Sequence, residues 1–258
     1  QVNSKNASEK YAWLGSVPGL REFKDERIPG TLSGYSYEID NKKWESTLDV
    51  DRDLIEDDRT SEIMMAVSML ATKAAQHYTR LICATFKAGF STPIYDGQNF
   101  FSGSHPLGSN YLGSSKDLNS TNLDAAEALL AGQKDDEGEP LGYRGTHIIC
   151  GPALAPTARA LMNKEFLSGG ESNVHYKKYE VIELPYLDVQ NDKQWALADL
   201  STGLMPFILQ IRVPIKLVAK TDLTSDRAFD KDIFTWGTRA RHNAGFGDHQ
   251  LIVGAAAS

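Results

Sequence analysis

The chain has 258 residues, of which 41% are hydrophobic and 24% charged, and its formal net charge is −7. A chain of this length and composition can bury a sizeable core, either in one large domain or in two interleaved lobes. No run of about 18 apolar residues is available to span a bilayer, and no charged-then-apolar leader opens the sequence, so we expect neither membrane insertion nor secretion. The acidic balance also argues against a dedicated nucleic-acid binder, since such proteins hold phosphates with Lys and Arg.

A long two-stranded β-ribbon is predicted for residues 31–59. Apolar and polar residues alternate on both sides of a turn at residues 40–42, which is typical of paired strands. The apolar positions are Tyr35, Tyr37, Ile39, Trp44, Leu48 and Val50. A lone hairpin is marginally stable in water, and the segment that follows is helical rather than a third strand. We therefore expect the apolar face of the ribbon to need a partner surface, which another copy of the chain can supply.

The ribbon and its base are also acidic, because residues 31–60 contain nine acids against four bases. The acids are Glu38, Asp40, Glu45, Asp49, Asp51, Asp53, Glu56, Asp57 and Asp58, and the bases are Lys42, Lys43, Arg52 and Arg59. Such a patch is either an ordinary solvated face or a surface that steers docking onto a basic neighbour.

A single long helix is predicted for residues 61–87. Apolar residues recur there at three- and four-residue steps, and no Pro or Gly interrupts the pattern before Gly89. At 1.5 Å per residue the helix would be roughly 40 Å long. Its polar side carries a thin basic stripe, which is either solvated or receives the acids of a neighbouring ribbon. The stripe consists of Lys73, His77, Arg80 and Lys87.

Residues 90–120 are rich in Gly, Ser, Asn and Pro, which predicts a turn-rich excursion. Asp96-Gly97 lies between apolar pairs, as the turn of a hairpin would. Asp96 and His105 are candidates for a metal site or an acid–base pair, but no third ligand stands at a suitable spacing. We therefore expect His105-Pro106 to form a rigid corner, and we predict no metal site.

The middle segment, residues 122–205, is predicted to be a mixed α/β lobe. Asn122 is expected to cap one helix, and residues 156–166 resume helical spacing after a Gly-Pro pair. Three short segments have β character, and two others are expected to be exposed loops. The β segments are residues 146–150, 179–184 and 195–198, and the loops are residues 134–140 and 167–178.

The last part of the chain returns to extended structure. Phe207, Leu209, Ile211 and Val213 alternate with other residues before Pro214, which indicates a strand that meets an edge or a bend. Farther on, a basic cluster follows an aromatic residue, which is compatible with nucleic-acid stacking or with salt bridges between subunits. The acidic chain favours salt bridges, with the acidic ribbon as partner. The cluster consists of Trp236, Arg239, Arg241 and His242.

Common motifs of enzyme active sites are missing from the sequence. It contains no Gly-x-Ser-x-Gly elbow, no Gly-x-x-x-x-Gly-Lys-Ser/Thr loop and no His-Glu-x-x-His. A hydrolase that uses Ser104 or Cys150 with His105 or His147 remains the rival from a different class, since triads can be scattered in sequence. Cys83 and Cys150 are expected to be buried, reduced thiols. We predict no enzyme activity and no cofactor.

Three blocks of sequence carry a resemblance to a known family. They are AWLG-x-x-PGLREF with the following NKKWE and RDLIEDD, then KAGFSTPIYDGQNFFSGSHPL at residues 87–107, then FTWGTRARHNAGFGDHQL at residues 234–251. With these blocks the chain resembles the major head subunits of Mu-like phages, which belong to the Hong Kong 97-type (Johnson fold) capsid family. The blocks lie near the start, middle and end of the chain, and residues 111–206 match least.

The resemblance implies an α+β fold of Hong Kong 97 type, in which an extended loop reaches over the adjoining subunit. Its regions would be an N-terminal arm (1–30), the extended loop (31–59), a peripheral domain with the long helix as its spine (60–121 and 206–258) and an axial domain (122–205). We expect the loop to contact its neighbour through Tyr35, Tyr37, Ile39, Trp44, Leu48, Asp51 and Asp53, with Lys73, Arg80, Arg239 and Arg241 as basic partners.

The resemblance further implies a major capsid protein of a tailed phage or Mu-like prophage. Such a protein is synthesised in the host bacterial cytoplasm and assembles as pentamers and hexamers into the icosahedral capsid of the virion. The shell would enclose double-stranded DNA with weak or no sequence-specific contact, without a membrane, and with portal, scaffold or protease and decoration proteins as further partners. The basic stripe would then face a neighbouring ribbon or the packaged DNA. An encapsulin-like compartment, which shares the fold but houses protein cargo, is the alternative within the structural class.

Overall fold

The computed structural model describes residues 1–14, 34–56, 60–166, 170, 172–187 and 193–256. The strands in these ranges are β1 (Val2–Asn3), β2 (Ser8–Leu14), β3 (Gly34–Asp40), β4 (Lys42–Asp51), β5 (Tyr111–Gly113), β6 (His147–Cys150), β7 (Glu180–Glu183), β8 (Gln194–Ala198), β9 (Phe207–Lys220), β10 (Ile233–Phe246) and β11 (Ile252–Ala256). The helices are α1 (Asp53–Glu56), α2 (Thr60–Ala88), α3 (Ser120–Ala131), α4 (Ala155–Asn163) and α5 (Asp226–Lys231), with a 3-10 turn at His249–Leu251. None of the helices in the described part of the chain is both long and apolar enough to cross a bilayer.

The chain divides into two compact units. The first contains residues 1–9, 39–82 and 209–244, and the second contains the described residues of 10–38, 83–208 and 245–258. Each unit is assembled from separate parts of the sequence, so the two units alternate along the chain.

The first unit is built on a four-stranded sheet in the order β1-β9-β10-β4. β10 and β4 are antiparallel and pair from Ile233 opposite Asp51 to His242 opposite Lys42. β1 contributes a short parallel pairing to β9. The long antiparallel ladder therefore holds β4 as an edge strand of this sheet.

The predicted pairing of the ribbon is wrong. β3 is hydrogen-bonded to β2 and β4 to β10, so the strands on either side of Asn41 belong to different sheets. Alternating apolar residues identify the buried face of a strand but not its neighbour. β10, with 14 residues, can pair along the whole of β4, which has 10, whereas β3 has only seven. The two-stranded ribbon of this molecule is therefore formed by β2 and β3.

α2 is the long helix that the sequence predicts, and it runs from Thr60 to Ala88. Ile63 and Val67 are buried and form a small core with Val50 of β4. Leu48, Ile55 and Trp236 pack against this core. The apolar side of the helix thus packs on β4. The helix of the same chain therefore covers the apolar face of β4, for which the sequence predicts a partner surface.

The second unit is built on a five-stranded sheet in the order β5-β11-β8-β6-β7. Successive side chains of its central strands point to opposite faces and enter two separate cores. On one face Ile148 and Trp195 pack with α3 and α4. On the other face Ile149 and Ala196 pack with Phe86, Phe100, Phe101 and Phe246. The helices and strands predicted for the middle segment are confirmed.

The start of α3 differs from the prediction. Its cap is Asn119, whose side-chain oxygen accepts a hydrogen bond from the Asn122 N–H at 2.8 Å. Asn122 lies inside the first turn and donates its side-chain amide to the Asp117 carbonyl at 2.7 Å. Either Asn has the chemistry of a cap, and only the backbone geometry decides between them.

β9 is the last strand predicted before the basic cluster, and it continues through Pro214. Its burial alternates less regularly than predicted, since Ile208 and Gln210 are buried together with Ile211. The Gln210 amide donates to the Ile39 carbonyl at 3.2 Å, which satisfies a polar group inside the unit. Pro214 lies beyond the two residues that pair with β1, as expected for a proline at an unpaired edge.

The excursion after α2 contains the predicted tight turn. Ile94 N–H donates to the carbonyl of Gln98 at 2.8 Å, and Gly97 has a φ of 77°, which glycine adopts without strain. The buried amide of Asn110 donates to the Phe100 carbonyl at 2.8 Å. These bonds hold the loop against the phenylalanine-rich core of the second unit.

Candidate subunit interface

The residues predicted to contact a neighbouring subunit lie on three consecutive elements. Tyr35, Tyr37 and Ile39 are on β3, Trp44, Leu48 and Asp51 on β4, and Asp53 opens α1. The side chain of Tyr35 is outside the described residues. Ile39 is only 3% exposed, and the half-buried ring of Tyr37 lies 6.1 Å from that of Phe246. These apolar side chains are covered largely by their own chain, and their role between subunits stays a prediction.

Trp44 belongs to an aromatic cluster where β4, α2 and β10 meet. Its ring centroid is 4.3 Å from that of His77 and 6.0 Å from that of His242. Tyr78 lies 4.8 Å from His242 on the other side. Trp44 Nε1 also donates to the His242 carbonyl at 2.9 Å. The cluster therefore fixes the helix on the sheet.

His242 is 0% exposed, and neither of its ring nitrogens has a hydrogen-bond partner within the described residues. Its pKa is lowered from 6.5 to about 4, first by burial and second by the charge of His77. Burial and the charge of Arg80 also lower the pKa of His77. A cavity of about 160 Å³ beside the rings is lined by Glu45 and Lys73 as well. His77 is therefore a half-buried, neutral member of the aromatic cluster and does not belong to the predicted basic stripe.

The acidic side chains of β4 have basic neighbours on α5 and β10. Asp49 accepts a hydrogen bond from Arg227 at 2.8 Å and another from the Thr235 hydroxyl at 2.8 Å. Arg239 lies directly opposite Glu45 in the β10–β4 register. Four cations line a groove of about 590 Å³ on this sheet: Lys43, Lys220, Arg227 and Arg239. Of the predicted basic partners, Arg239 thus lies beside the acidic strand of its own chain, and the ion pair of Asp49 is made by Arg227, which was not predicted.

The other predicted contact residues are on the surface. Asp51 accepts a hydrogen bond from the Asp53 N–H at 3.1 Å, a local contact at the start of α1. Lys73 and Arg80 are exposed and lie about two turns apart on α2. Arg241, in contrast, is half-buried opposite Lys43. Pairing of these groups between subunits stays a prediction.

The residues of the rival hydrolase hypothesis form no active site. His105 Nδ1 is 2.5 Å from Asp96 Oδ2, and His105 Nε2 is 3.2 Å from the Phe100 carbonyl oxygen, so both ring nitrogens are engaged. Ser104 is exposed on the loop, whereas Cys150 is fully buried in a strand. The buried Asp96–His105 pair instead holds the corner that the sequence predicts at this position.

The remaining candidate groups are also structural. His147 Nδ1 lies 2.8 Å from the Thr146 hydroxyl, and its Nε2 lies 3.3 Å from a Glu180 carboxylate oxygen. Cys83 and Cys150 are buried, as predicted, and burial raises the pKa of the Cys83 thiol. Across the described ranges, no three His, Cys, Asp or Glu side chains are grouped to hold a metal ion.

One exposed surface is not foreseen by the patterns above. Met64, Met65 and Met69 of α2 are 59%, 61% and 57% exposed. A signal for it exists in the sequence, since residues 63–72 carry no charge. Helical periodicity separates the buried side from the solvent side, but it does not say which apolar side chains remain uncovered.

The whole chain matches one protein family, described as the Mu-like prophage major head subunit gpT, over residues 1–113, 110–187 and 188–258. It is 28% identical over 250 residues to the Mu-like prophage FluMu major head subunit of Haemophilus influenzae. The aligned region covers 97% of this chain and 62% of that protein. It is 27% identical over 252 residues to the major capsid protein of Escherichia phage Mu, which covers 98% of this chain and 63% of that protein. The chain thus spans about three fifths of the length of the curated relatives it matches.

The fold is similar to that of phage capsid subunits. The capsid of bacteriophage JBD30 superposes with a TM-score of 0.61 at 18% identity, over 98% of this chain and 61% of that chain. The procapsid of the same phage gives a TM-score of 0.57 at 25% identity, over 100% of this chain and 65% of that chain. The predicted Hong Kong 97-type fold is confirmed by these similarities. Because the sequence match extends from the first residue to the last, the chain belongs to the Mu-like prophage major head subunit gpT family.

Proposed function

We propose that this chain is the shell-forming part of a major capsid protein of a tailed phage or Mu-like prophage. Many copies assemble as pentamers and hexamers into an icosahedral head that encloses double-stranded DNA. The observation that carries the proposal is the whole-length match to a head subunit family. The fold shared with capsid subunits supports it.

The β2–β3 ribbon supports assembly from many copies. These two strands form a sheet of their own, which within the described residues contains no third strand. A two-stranded sheet is marginal by itself and gains stability from a surface that covers it. We therefore assign β2 and β3 to the extended loop in place of the predicted residues 31–59, and we shorten the N-terminal arm accordingly. β4 and α1 then join the peripheral region, and the axial region keeps its predicted limits of 122–205.

The charge of the chain suits a container for DNA. A wall with a net charge of −7 has few cations to spare for phosphates, so it encloses the genome without binding it tightly. Contact with DNA in this proposal is weak and independent of sequence. Portal, scaffold or protease and decoration proteins are the further partners proposed, with synthesis in the host cytoplasm.

Electron microscopy of the protein expressed in bacteria tests the proposal. Regular shells or capsomer rings are expected, and a product that stays monomeric at high concentration would overturn it. The contents of the particle separate the two shell functions. Nuclease-protected DNA supports a phage head, whereas an enriched protein cargo supports an encapsulin-like compartment.

A further inference from the structure

A cavity of about 160 Å³ lies where α2 meets the sheet of the first unit. His77 of α2 and His242 of β10 both line it, and we call it the histidine cavity. Much of the remaining wall is apolar and comes from the helix and from two strands of the sheet. These apolar side chains are Leu70, Ala74, Ile215 and Ala240.

The two histidine rings present unpaired nitrogens in this place. His242 is 0% exposed, and neither its Nδ1 nor its Nε2 has a hydrogen-bond partner in the described part of the chain. Nε2 of His77 is buried and lacks a partner there too, and the two ring centroids are 5.2 Å apart. Buried polar groups nearly always have a partner, so an exception of this kind points to a bound water, ion or ligand.

The protonation of the rings decides what they offer to a ligand. Burial lowers the pKa of His242 to about 4, and burial followed by the charge of Arg80 lowers the pKa of His77. Both rings are therefore neutral near pH 7. A neutral imidazole has one N–H donor and one acceptor nitrogen, so the pair offers a ligand two N–H donors, one from each ring.

Lys73 brings a positive charge to the histidine cavity. It lines the cavity and lies one turn before His77 on the same side of α2. Glu45 also lines the cavity, but successive side chains of a strand point to opposite faces, and Trp44 packs on His77. The side chain of Glu45 therefore points to the other face of the sheet, where it lines the groove with Arg239. Among the described lining residues, Lys73 is then the one charged side chain on the helix side.

This combination of groups matches a carboxylate. A carboxylate has two acceptor oxygens and no donor, so it can accept one N–H from each ring while the ammonium group of Lys73 balances its charge. The apolar wall suits a short aliphatic stem, and a cavity of about 150 Å³ is large enough for a molecule the size of benzene. A metal ion fits less well, because the ammonium group repels it and no three ligand side chains are grouped in the described ranges.

We propose that the histidine cavity binds a carboxylate on a short aliphatic stem, with His77 and His242 as hydrogen-bond donors and Lys73 as the counter-charge. The glutamate side chain of a second copy and a small free carboxylic acid share this chemistry. The inference goes beyond the proposed function, because the site lies within one chain and can bind before assembly.

Propionate is the probe, since it reproduces the end of a glutamate side chain, and propionamide is its neutral control of nearly the same shape. The ring nitrogens of the unassembled full chain, labelled with ¹⁵N-histidine, are followed by NMR at about pH 7 and constant ionic strength. The signals of His77 and His242 should shift with propionate and saturate, with a dissociation constant on the order of 1–10 mM for so small a ligand. Propionamide should bind about tenfold more weakly or worse, because hydrogen bonds to a charged group are the stronger ones.

Three variants locate the site. Lys73→Met keeps the stem of the side chain and removes its charge, so propionate should bind about tenfold more weakly. Lys134→Met is the matched control, since Lys134 is exposed in the second unit, and it should bind propionate like the wild type. His242→Phe removes two of the unpaired nitrogens and should abolish the shift of the His77 signal. If His242→Phe does not fold, Lys73→Met decides alone, because its position is exposed.

Three results would overturn the site: no shift of either ring, equal affinities for propionate and propionamide, or wild-type affinity in Lys73→Met. Assembly then identifies the natural source of the carboxylate. If propionate lowers the yield of shells and propionamide does not, the source is a glutamate of a second copy, whereas an unchanged yield indicates a free acid. A chain that binds propionate and forms no shells supports the site and overturns the proposed function.

Discussion

His242 is held without charge at the point where a helix and a sheet meet. Its ring lies 5.2 Å from that of His77 and 4.8 Å from that of Tyr78. A proton on His242 would place a positive charge in a buried site beside His77, where neither ring nitrogen of His242 has a hydrogen-bond partner among the described residues. The folded chain therefore requires the neutral form of this histidine.

Stability is expected to fall as the pH drops through the acid range. The pKa of His242 is lowered from 6.5 to about 4 in the folded chain, mainly by burial, so the unfolded chain binds the proton more readily. The contribution of His242 to the free energy of unfolding is fully present above about pH 6.5 and is lost as the pH falls toward 4. At about 1.4 kcal/mol per pKa unit, the loss amounts to about 3 kcal/mol. His242→Phe keeps a ring and removes the titrating group, so its free energy of unfolding should depend less on pH.

Urea unfolding of the unassembled chain at about pH 7 and about pH 4.5 gives the measurement. Wild type should lose more free energy of unfolding between these conditions than His242→Phe loses. Some dependence should remain in the variant, because the pKa of His249 is lowered to about 3, first by burial and then by the charge of His105. Equal losses in the two proteins would mean that His242 does not carry the effect.

β3 and β4 are neighbours in sequence, yet they are held very differently. β4 is paired with β10 along its whole length. β3 pairs with β2 in a sheet that contains no other described strand. Strands in a larger sheet open less often than those of an isolated ribbon, so a single residue, Asn41, separates a stable element from a weakly held one.

The backbone amides of β4 should exchange with deuterium at least about tenfold more slowly than those of β2 and β3 in the unassembled chain. Mass spectrometry of peptides that cover residues 8–14, 34–40 and 42–51 measures the difference. Assembly should then slow exchange in β2 and β3 much more than in β4, because a neighbour covers the ribbon. Equal rates in the unassembled chain would contradict the pairing described above.

The helices and strands were easier to predict from the sequence than the partners they pack against or pair with in the fold. α2 and the strands of the second unit follow from the spacing of nearby residues, because each pattern is local. Trp44 and His242 are 198 positions apart, and no local pattern indicates that they meet. The exposure of Met64, Met65 and Met69 escaped prediction for a related reason, since periodicity does not reveal which apolar side chains are left uncovered. Pairing and exposure depend on the whole fold, whereas periodicity depends on one element.

At the scale of the whole molecule, α2 keeps two exposed cations, Lys73 and Arg80, on an acidic chain. If they receive carboxylates of a neighbouring subunit, Lys73→Glu with Arg80→Glu should lower the yield of shells, and added salt should lessen the difference from wild type. The free energy of unfolding of the unassembled chain should change by no more than about 0.5 kcal/mol, because both sites are exposed.

The yield of sedimenting particles at low and moderate salt is the measurement. The matched control is Lys134→Glu with Lys164→Glu, since both lysines are exposed in the second unit. Each reversal lowers the net charge by 2, so either pair takes it from −7 to −11. If both pairs give wild-type yields, Lys73 and Arg80 do not receive carboxylates of a neighbouring subunit.

The two cysteines of the chain lie inside the fold, with 1% of Cys83 and none of Cys150 exposed. Maleimides and other thiol reagents should therefore leave the native protein untouched. A cysteine introduced on the surface would become the one reactive handle on each copy. A fluorophore, spin label or gold cluster attached there would repeat across an assembled particle at fixed intervals. The native cysteines would not be labelled, so the signal would come from the introduced site alone.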